Sequence, residues 1–287
     1  MNTKHIGVFS ILLASIMWAI EPIFVKLSYE NSDFVQTSSI RAIFAALTAV
    51  LYLIITKKMD FRVSKKEFSK LIYIAVIGVL FADFIYLYAL TKIPVVNAVV
   101  IAHMQPIFII LIGYLILKQD KLTIYDYLGI FFMLISGLLV TSKTIENLFL
   151  LRFCSYGDLL VLTATIAWAT AAIVMRKYLR EMHAGLITFY RFLISAVFFI
   201  FYLILNNNIG ISNIYQMVVG IIVGVGTIFY YEGLKRIKAA QVGGLELSTP
   251  FFAAILGFFI LGEKITIMQI TGILLLFFGI YYLSKRE

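Results

Sequence analysis

Long apolar runs alternate with short polar or charged segments along the chain. Each run is about 20 residues long, which is the length that a helix needs to cross the hydrocarbon core of a bilayer. The pattern predicts ten membrane-spanning helices. They lie at about 6–26, 36–56, 70–91, 95–117, 123–141, 157–178, 185–205, 215–234, 239–261 and 266–283.

The composition indicates that lipid is the main solvent of this chain. Of the 287 residues, 62% are hydrophobic and 14% are charged, and the mean hydropathy is +0.99. Soluble domains contain about a quarter charged residues, so a soluble globule of this length would lack the polar side chains to cover its surface. The predicted spans also leave too few residues for a separate catalytic domain.

Cysteine and histidine, which form many catalytic and metal centres, are scarce in this sequence. The sequence has one cysteine, Cys154, which excludes an intramolecular disulfide and a multi-cysteine metal site. The three histidines show no metal-ligand spacing. We therefore expect no cofactor and no enzyme activity.

Basic residues are concentrated on one side of the predicted bundle. With ten spans both termini lie on one side, and the loops there carry most of the 24 Lys and Arg residues. The positive-inside rule then places both termini in the cytoplasm and the multi-pass chain in the cell membrane. Anionic lipid headgroups beside these loops explain the net charge of +9, so nucleic acid is not an expected partner.

Distinctive residues of the first half recur in the same order in the second half, at offsets of 150 or 144. The matched pairs are Gly7 with Gly157, Trp18 with Trp168, Lys26 with Arg176, Arg41 with Arg191, Tyr86 with Tyr230, Ile93 with Ile237 and Pro106 with Pro250. Each half holds an odd number of spans, so the second half enters the membrane from the opposite face. Such inverted repeats are typical of transporters that open a central site alternately to each side. We predict a first repeat over residues 1–145 and a second over 146–287.

Two segments resemble the EamA module of the drug/metabolite transporter superfamily. The shared pattern is YxxAL, a short turn, a small-residue helix with a central Pro, an acidic-Lys-x-Thr element and a helix that begins near Gly. It runs over Tyr86–Gly129 and again over Tyr230–Gly272, where the acidic element reads LGEKIT. The first copy departs from the pattern with LKQDKLT, and the second departs with Glu232 and Gly233.

The resemblance implies a fold and a broad activity. The fold is all-α, with ten transmembrane helices in two inverted five-helix units. The implied activity is the movement of small organic solutes across the cell membrane, often outward. Members of the family carry sugars, nucleotide derivatives or amino acids, so the resemblance does not name a substrate.

Ionisable side chains inside spans cost about 2.5–3.5 kcal/mol on insertion scales, so each needs an interface or a role. Glu21 follows Trp18 on nearly the same helix face. We predict that it faces a cavity and binds a cation or a proton; the alternative is an ion pair with Lys26. In the related small multidrug resistance proteins an essential Glu stands eight residues before a Lys, where this chain has Trp18. Proton coupling is therefore only a hypothesis.

Three further ionisable residues lie deep in predicted spans. Asp83 and His103 lie near the middle of adjacent spans and are predicted to form a pH-sensitive proton relay. A structural hydrogen bond between packed helices is the alternative. Glu246 stands four residues before Pro250, at the depth where transporters hold their substrates. We expect Glu246, with Glu21, to contact an amine or a cation.

Aromatic residues and arginines leave two interpretations open. Trp18, Trp168, Tyr86 and Tyr230 are expected either to line the central site or to pack between helices. Two further residues, Arg41 and Arg191, begin the second and seventh spans, so snorkelling to an interface is their default interpretation.

Two local patterns predict helix contacts. Glu232, beside Lys235 and Arg236, predicts an ion pair at the end of a helix. Gly220 and Gly224 form a GxxxG pattern in the eighth span, which favours close packing with another helix.

The sequence as a whole predicts an exporter of a small polar or amphipathic metabolite, such as an amino acid, that works by alternating access. The alternatives are an uncoupled or uptake permease for a sugar or nucleoside-type metabolite and, less favoured, a membrane scaffold or enzyme. Expected partners are the substrate, the lipid bilayer and, if coupling exists, protons. The predicted substrate-binding residues are Trp18, Glu21, Asp83, Tyr86, His103, Trp168, Tyr230 and Glu246.

Overall fold

The computed structural model describes residues 3–115, 123–152, 154–206, 210–237, 242, 245–246 and 248–284. Most of the LKQDKLT element and most of the start of the predicted ninth span, residues 239–247, lie outside these ranges. Within them, every regular element is helical. Eight helices are long and apolar enough to cross a membrane, and two shorter apolar helices follow. The prediction of an all-α membrane protein is thereby confirmed.

The apolar helices of the described residues follow the predicted runs. They are α1 (Thr3–Ser28), α2 (Phe34–Ile55), α3 (Lys65–Leu90), α4 (Val95–Leu115), α5 (Ile124–Ser142), α6 (Tyr156–Leu179), α7 (Ala184–Leu205), α8 (Ile214–Arg236), α9 (Ser248–Leu261) and α10 (Ile267–Ser284). A short helix, Ile145–Phe149, lies in the connection between α5 and α6.

Side-chain caps set where several helices begin. α3 begins at Lys65 rather than near residue 70, because Ser64 and Glu67 form a capping box that satisfies backbone N–H groups before the apolar run starts. Capping boxes also begin α5 at Thr123 and α6 at Ser155. The hydrophobic pattern alone places a helix but does not reveal such polar first turns.

Two helices depart from regular α geometry near their middle. In α3, residues Val76–Asp83 form a π-helical segment. In α4, the segment Val95–Ala102 ends and a new segment starts at Gln105. Pro106 explains this break, because its ring clashes with the carbonyl of residue 102 and supplies no N–H. Both irregular segments leave backbone groups available inside the bundle.

Helices of the two halves pack against each other throughout the bundle. α1 packs on α8 and α9, α6 packs on α3 and α4, α2 packs on α7, and α5 packs on α10. Glycines permit two of these approaches. A Cβ at Gly7 would lie 2.7 Å from the Ile237 side chain, and a Cβ at Gly157 would lie 2.5 Å from the Ile93 side chain. The two contacts correspond to each other, because Gly7 matches Gly157 and Ile237 matches Ile93 in the internal repeat.

A polar network joins helix ends on the side where α1 ends. The Glu263 carboxylate accepts the Val95 N–H at 2.9 Å and pairs with Lys26 Nζ at 2.8 Å. Glu263 belongs to the LGEKIT element, so this element anchors the start of α4 to α1. Nearby, the buried Asn97 side chain links α4 to Asp158 on α6.

The GxxxG pattern of α8 packs closely on α2, as predicted. A Cβ at Gly220 would lie 2.5 Å from Phe44 Cβ and 2.8 Å from the Arg41 carbonyl oxygen. Replacing Gly220 by Ala is therefore expected to destabilise the protein by about 1–3 kcal/mol through overpacking. Thermal unfolding of the purified protein in detergent measures this loss.

Gly113→Ala is the matched control for that measurement. A Cβ at Gly113 meets nothing within 4 Å, and Ala forms helices better than Gly. Its unfolding temperature is expected to equal or exceed that of the wild type. Equal unfolding temperatures for Gly220→Ala and Gly113→Ala would contradict the close contact of α2 with α8.

Candidate functional site

Three charged side chains meet inside the bundle at a common depth. Glu21 on α1, Arg41 on α2 and Asp83 on α3 each lie seven residues from the helix end on one side of the bundle, which is about 10 Å of helix. All three side chains are less than a tenth exposed. Charges at this depth need ionic partners inside the protein, because lipid and apolar side chains do not solvate them.

Arg41 pairs with both carboxylates. Its Nε and Nη2 contact Glu21 Oε1 at 2.8 and 2.7 Å. Its Nη1 donates to Asp83 Oδ2 at 2.8 Å. The expectation that Arg41 snorkels to an interface is therefore wrong. The alternative partner for Glu21 is wrong as well, because Lys26 pairs with Glu263.

The second arginine also turns inward, with longer contacts. Arg191 on α7 donates from Nη1 to the Tyr231 hydroxyl at 3.2 Å and from Nη2 to the Gly78 carbonyl at 3.5 Å. Its Nη2 lies 3.5 Å from Asp83 Oδ1. Snorkelling is wrong for this residue too. Phe192 lies between the arginines, with its ring centre 5.7 Å from the Arg41 guanidinium and 5.4 Å from that of Arg191.

The Trp168 indole completes the coordination of Asp83. Its Nε1 donates to Asp83 Oδ1 at 2.7 Å and to the Gly78 carbonyl at 3.1 Å. Gly78 lies in the π-helical segment of α3, where a backbone carbonyl accepts side chains from α6 and α7. Asp83 thus receives donors from α2, α6 and α7, and it connects the two halves of the chain.

The four predicted aromatic residues form two pairs, each across the halves. Trp18 on α1 contacts Tyr230 on α8, with ring centres 4.9 Å apart. Trp168 on α6 contacts Tyr86 on α3, with ring centres 5.2 Å apart. Both geometries are tilted, as is favourable for aromatic pairs. The structure therefore brings the four residues together as packed pairs beside the charges.

His103 is hydrogen-bonded within its own helix rather than to the ion cluster, which consists of Glu21, Arg41, Asp83 and Arg191. Its Nδ1 is 2.8 Å from the Val99 carbonyl oxygen of the preceding turn. The Asp83 oxygens are engaged by Arg41, Trp168 and Arg191, and within the described residues His103 makes no bond to Asp83. The predicted Asp83–His103 pair is wrong, because arginines provide stronger partners for a buried carboxylate.

Glu246 lies against α1, before α9. The preceding residue, Leu245, offers its carbonyl to Ser15 Oγ at 3.5 Å, and Thr249 Oγ1 donates to the Ser15 carbonyl at 3.3 Å. These contacts place Glu246 about one helical turn from Trp18 along α1, and Tyr230 lies within electrostatic range of its carboxylate. Glu246 is partly buried. Among the ion pairs of the described residues, none involves it.

Glu232 forms the predicted ion pair with Arg236 on the last turns of α8. Its position confirms a helix-end role. Of the three carboxylates in the predicted site, Glu21 and Asp83 contact Arg41, and Glu246 is the third.

The sequence reasoning missed the arginines as members of the site. Arg41 and Arg191 recur at an offset of 150, and acids lie at the same depth on neighbouring helices. That combination was a usable signal, since two carboxylates buried at one depth require a cation.

A bundle of membrane-length apolar helices with buried ion pairs is typical of multi-pass membrane proteins. The EamA-like transporter family matches the chain twice, over residues 5–142 and 155–285. The chain belongs to this family. The two matches together span nearly the whole sequence.

Curated relatives agree with this assignment. The chain is 27% identical over 288 residues to the uncharacterized transporter YyaM of Bacillus subtilis, with 96% of this chain and 93% of the relative covered. It is 28% identical over 221 residues to an uncharacterized transporter of Methanothermobacter thermautotrophicus, with 75% of this chain covered. The match spans 64% of the length of that second relative.

The fold also matches a solved crystal structure. The TM-score is 0.70 at 16% sequence identity, with 99% of this chain and 98% of the other covered. At this identity the likeness concerns the fold alone.

Replacing Arg41 by Gln is expected to destabilise the protein by about 3–5 kcal/mol, because Glu21 and Asp83 would stay buried without their partner. Thermal unfolding and the yield of monodisperse protein measure the loss. The control is Arg180→Gln, at an exposed position, which is expected to unfold like the wild type. An Arg41→Gln protein as stable as the control would show that the ion cluster does not hold the bundle together.

Proposed function

We propose that this protein exports a small polar or amphipathic metabolite, such as an amino acid or a related compound, across the cell membrane by alternating access. In this proposal the chain crosses the membrane ten times, with both termini in the cytoplasm. Two inverted five-helix units, residues 1–145 and 146–287, surround the central site.

One observation carries the proposal: a neutralised ion cluster is buried where the two family matches meet. Asp83 belongs to the first match, and its donors Trp168 and Arg191 belong to the second. Ionisable residues inside membrane spans are rare, and a role in a substrate or ion pathway is the default hypothesis for them. The ionic contact between the halves in this cluster, Arg191 to Asp83, is 3.5 Å long, so it can break and re-form at low cost when the halves move.

The packing of the halves supports the inverted arrangement. The Trp18–Tyr230 pair has its counterpart in Trp168–Tyr86, and Gly7 packs on Ile237 as Gly157 packs on Ile93. Each contact turns into the other when the two halves are exchanged. Equivalent contacts in the two halves are what a pseudo-two-fold axis between the units would produce, and such symmetry is the basis of alternating access in transporters with inverted repeats.

Glu246 is the residue we propose to bind the amine or cation of the substrate. Glu21 and Asp83 are occupied by Arg41, so in the proposed site they position other groups. Trp18 and Tyr230 lie beside Glu246 and would cover an apolar part of the substrate. Tyr86, Trp168 and His103 complete the proposed lining.

Proton coupling is assigned in this proposal to Glu246. The Asp83–His103 relay is not formed, whereas Glu246 is a carboxylate without an ionic partner among the described residues. A carboxylate that exchanges a proton for a cationic group couples the two movements directly. If the flux ignores an imposed pH gradient, an uncoupled permease for a sugar or nucleoside-type metabolite becomes the better description.

The experiment starts with a thermal-shift screen of purified protein against a metabolite panel, because a ligand stabilises the state that binds it. Glu246→Gln is then expected to weaken binding of the stabilising compound by about 10–100-fold, the value of a lost charged hydrogen bond. Its proteoliposome flux should also lose its dependence on pH between the two sides.

Glu30→Gln is the matched control, because Glu30 is an exposed carboxylate between α1 and α2. It is expected to bind and transport like the wild type. Unchanged flux and unchanged pH dependence in Glu246→Gln would refute the role of this residue. Absence of flux for every compound that stabilises the wild type would refute transport itself.

A further inference from the structure

The two matched arginines differ in how their charges are balanced. Arg41 is 5% exposed at its side chain and contacts carboxylate oxygens at 2.7 and 2.8 Å. The Arg191 side chain is 16% exposed, and its carboxylate contact, to Asp83, is 3.5 Å long. Arg191 Nε is buried without a hydrogen-bond partner among the described residues. Arg191 is therefore the incompletely paired member.

The internal repeat explains this difference. The position that matches Glu21 at an offset of 150 holds Ala171, and the position that matches Asp83 at an offset of 144 holds Thr227. Both residues are buried and uncharged. The second half therefore repeats the arginine of the first half without either of its carboxylates.

The small side chain of Ala171 and the Arg191 guanidinium both face Gly78 of α3. A Cβ built at Gly78 would lie 3.6 Å from Ala171 Cβ and 3.5 Å from Arg191 Nη2. In the first half, the carboxylate of Glu21 extends from the matched position to Arg41. In the second half, a methyl group stands where that carboxylate begins.

We propose that Arg191 binds a carboxylate or a comparable oxyanion of the substrate, in the place that matches the Glu21 carboxylate. A guanidinium recognises a planar oxyanion through two parallel hydrogen bonds. The inference rests on the proposed transport function and narrows its substrate to compounds with an anionic group. Together with Glu246 it favours a zwitterion.

Binding of an anion at Arg191 would also change the contacts of Asp83 in the ion cluster. Asp83 keeps short bonds to Arg41 and Trp168 when Arg191 turns to another anion. The 3.5 Å contact between α7 and α3 is the bond that substrate would replace. Substrate binding would thereby loosen one ionic connection between the halves while leaving the α1–α2–α3 cluster intact.

The first test needs no substrate. Ala171→Glu restores to the second half the carboxylate that the first half has, and Ala171→Gln has nearly the same shape without the charge. We expect Ala171→Glu to unfold at a temperature roughly 2–4 °C above that of Ala171→Gln. Equal or reversed unfolding temperatures would overturn the proposal, because the Arg191 charge would then need no counterion.

The second test uses the twenty common L-amino acids and their carboxamides as probes in thermal-shift and binding measurements. We expect an acid to bind the wild type at least tenfold more tightly than its amide and to raise its unfolding temperature more. Arg191→Gln should abolish this preference, and Ala171→Glu should prevent the acid from binding. Gly113→Ala serves as the control with unchanged preference.

The outcomes separate this inference from the proposed function. Transport of a stabilising compound that lacks an anionic group, at a rate unaffected by Arg191→Gln, would overturn the anion site and leave transport in place. A preference for acids that disappears in Arg191→Gln, without flux of any acid, would support the site and refute transport. If no acid among the probes shifts the wild type, the proposal that Arg191 binds such an oxyanion is overturned, because a higher unfolding temperature of Ala171→Glu shows only that a carboxylate fits beside the arginine.

Discussion

The ion pairs of Arg41 are the interaction on which the rest of the site depends. One guanidinium holds Glu21 and Asp83, so it fixes α1, α2 and α3 to one another at a single depth. A buried charge without a partner costs several kcal/mol. Moving any one of the three helices away would leave such a charge unpaired, so the penalty favours keeping all three in place. Because Asp83 is held in this way, its other oxygen faces Trp168 and Arg191 with a fixed orientation.

Around this cluster the halves are interleaved rather than juxtaposed. α1 packs on α8 more closely than on its own neighbours, since Gly226 approaches Trp18 and Gly233 approaches Ile11. Interleaving means that neither half buries its apolar and polar surfaces alone. In the proposed alternating-access movement, a simple separation of the halves would expose buried charges to lipid, so new contacts would have to replace those that break.

The amino-acid sequence predicted the helices well and the ionic partners poorly, for a physical reason. Apolar runs of membrane length leave a helix as the structure that satisfies its own backbone, so the spans could be read directly. The ionic partner of a buried residue depends on how each helix is rotated about its axis. A helix that is apolar on all faces does not specify that rotation. For this reason the sequence favours an interface for Arg41, Lys26 as an alternative partner for Glu21 and His103 as a partner for Asp83, whereas the structure pairs Arg41 with both acids. The capping box at Ser64 and the break before Pro106 are local features, and only the second is easily seen in the sequence.

A symmetric fold with asymmetric chemistry has a direct consequence for transport. If both halves carried the full set of charged residues, each arginine would have short carboxylate contacts within its own half, and neither would gain from contact with substrate. The second half keeps Arg191 but has Ala171 and Thr227 where the first half has its carboxylates. Arg191 therefore shares Asp83 with Arg41 across the halves. In the proposed site, the deficit that joins the two halves through Asp83 would also let Arg191 exchange its distant counterion for a closer one, so substrate recognition and the contact between halves would depend on a single side chain.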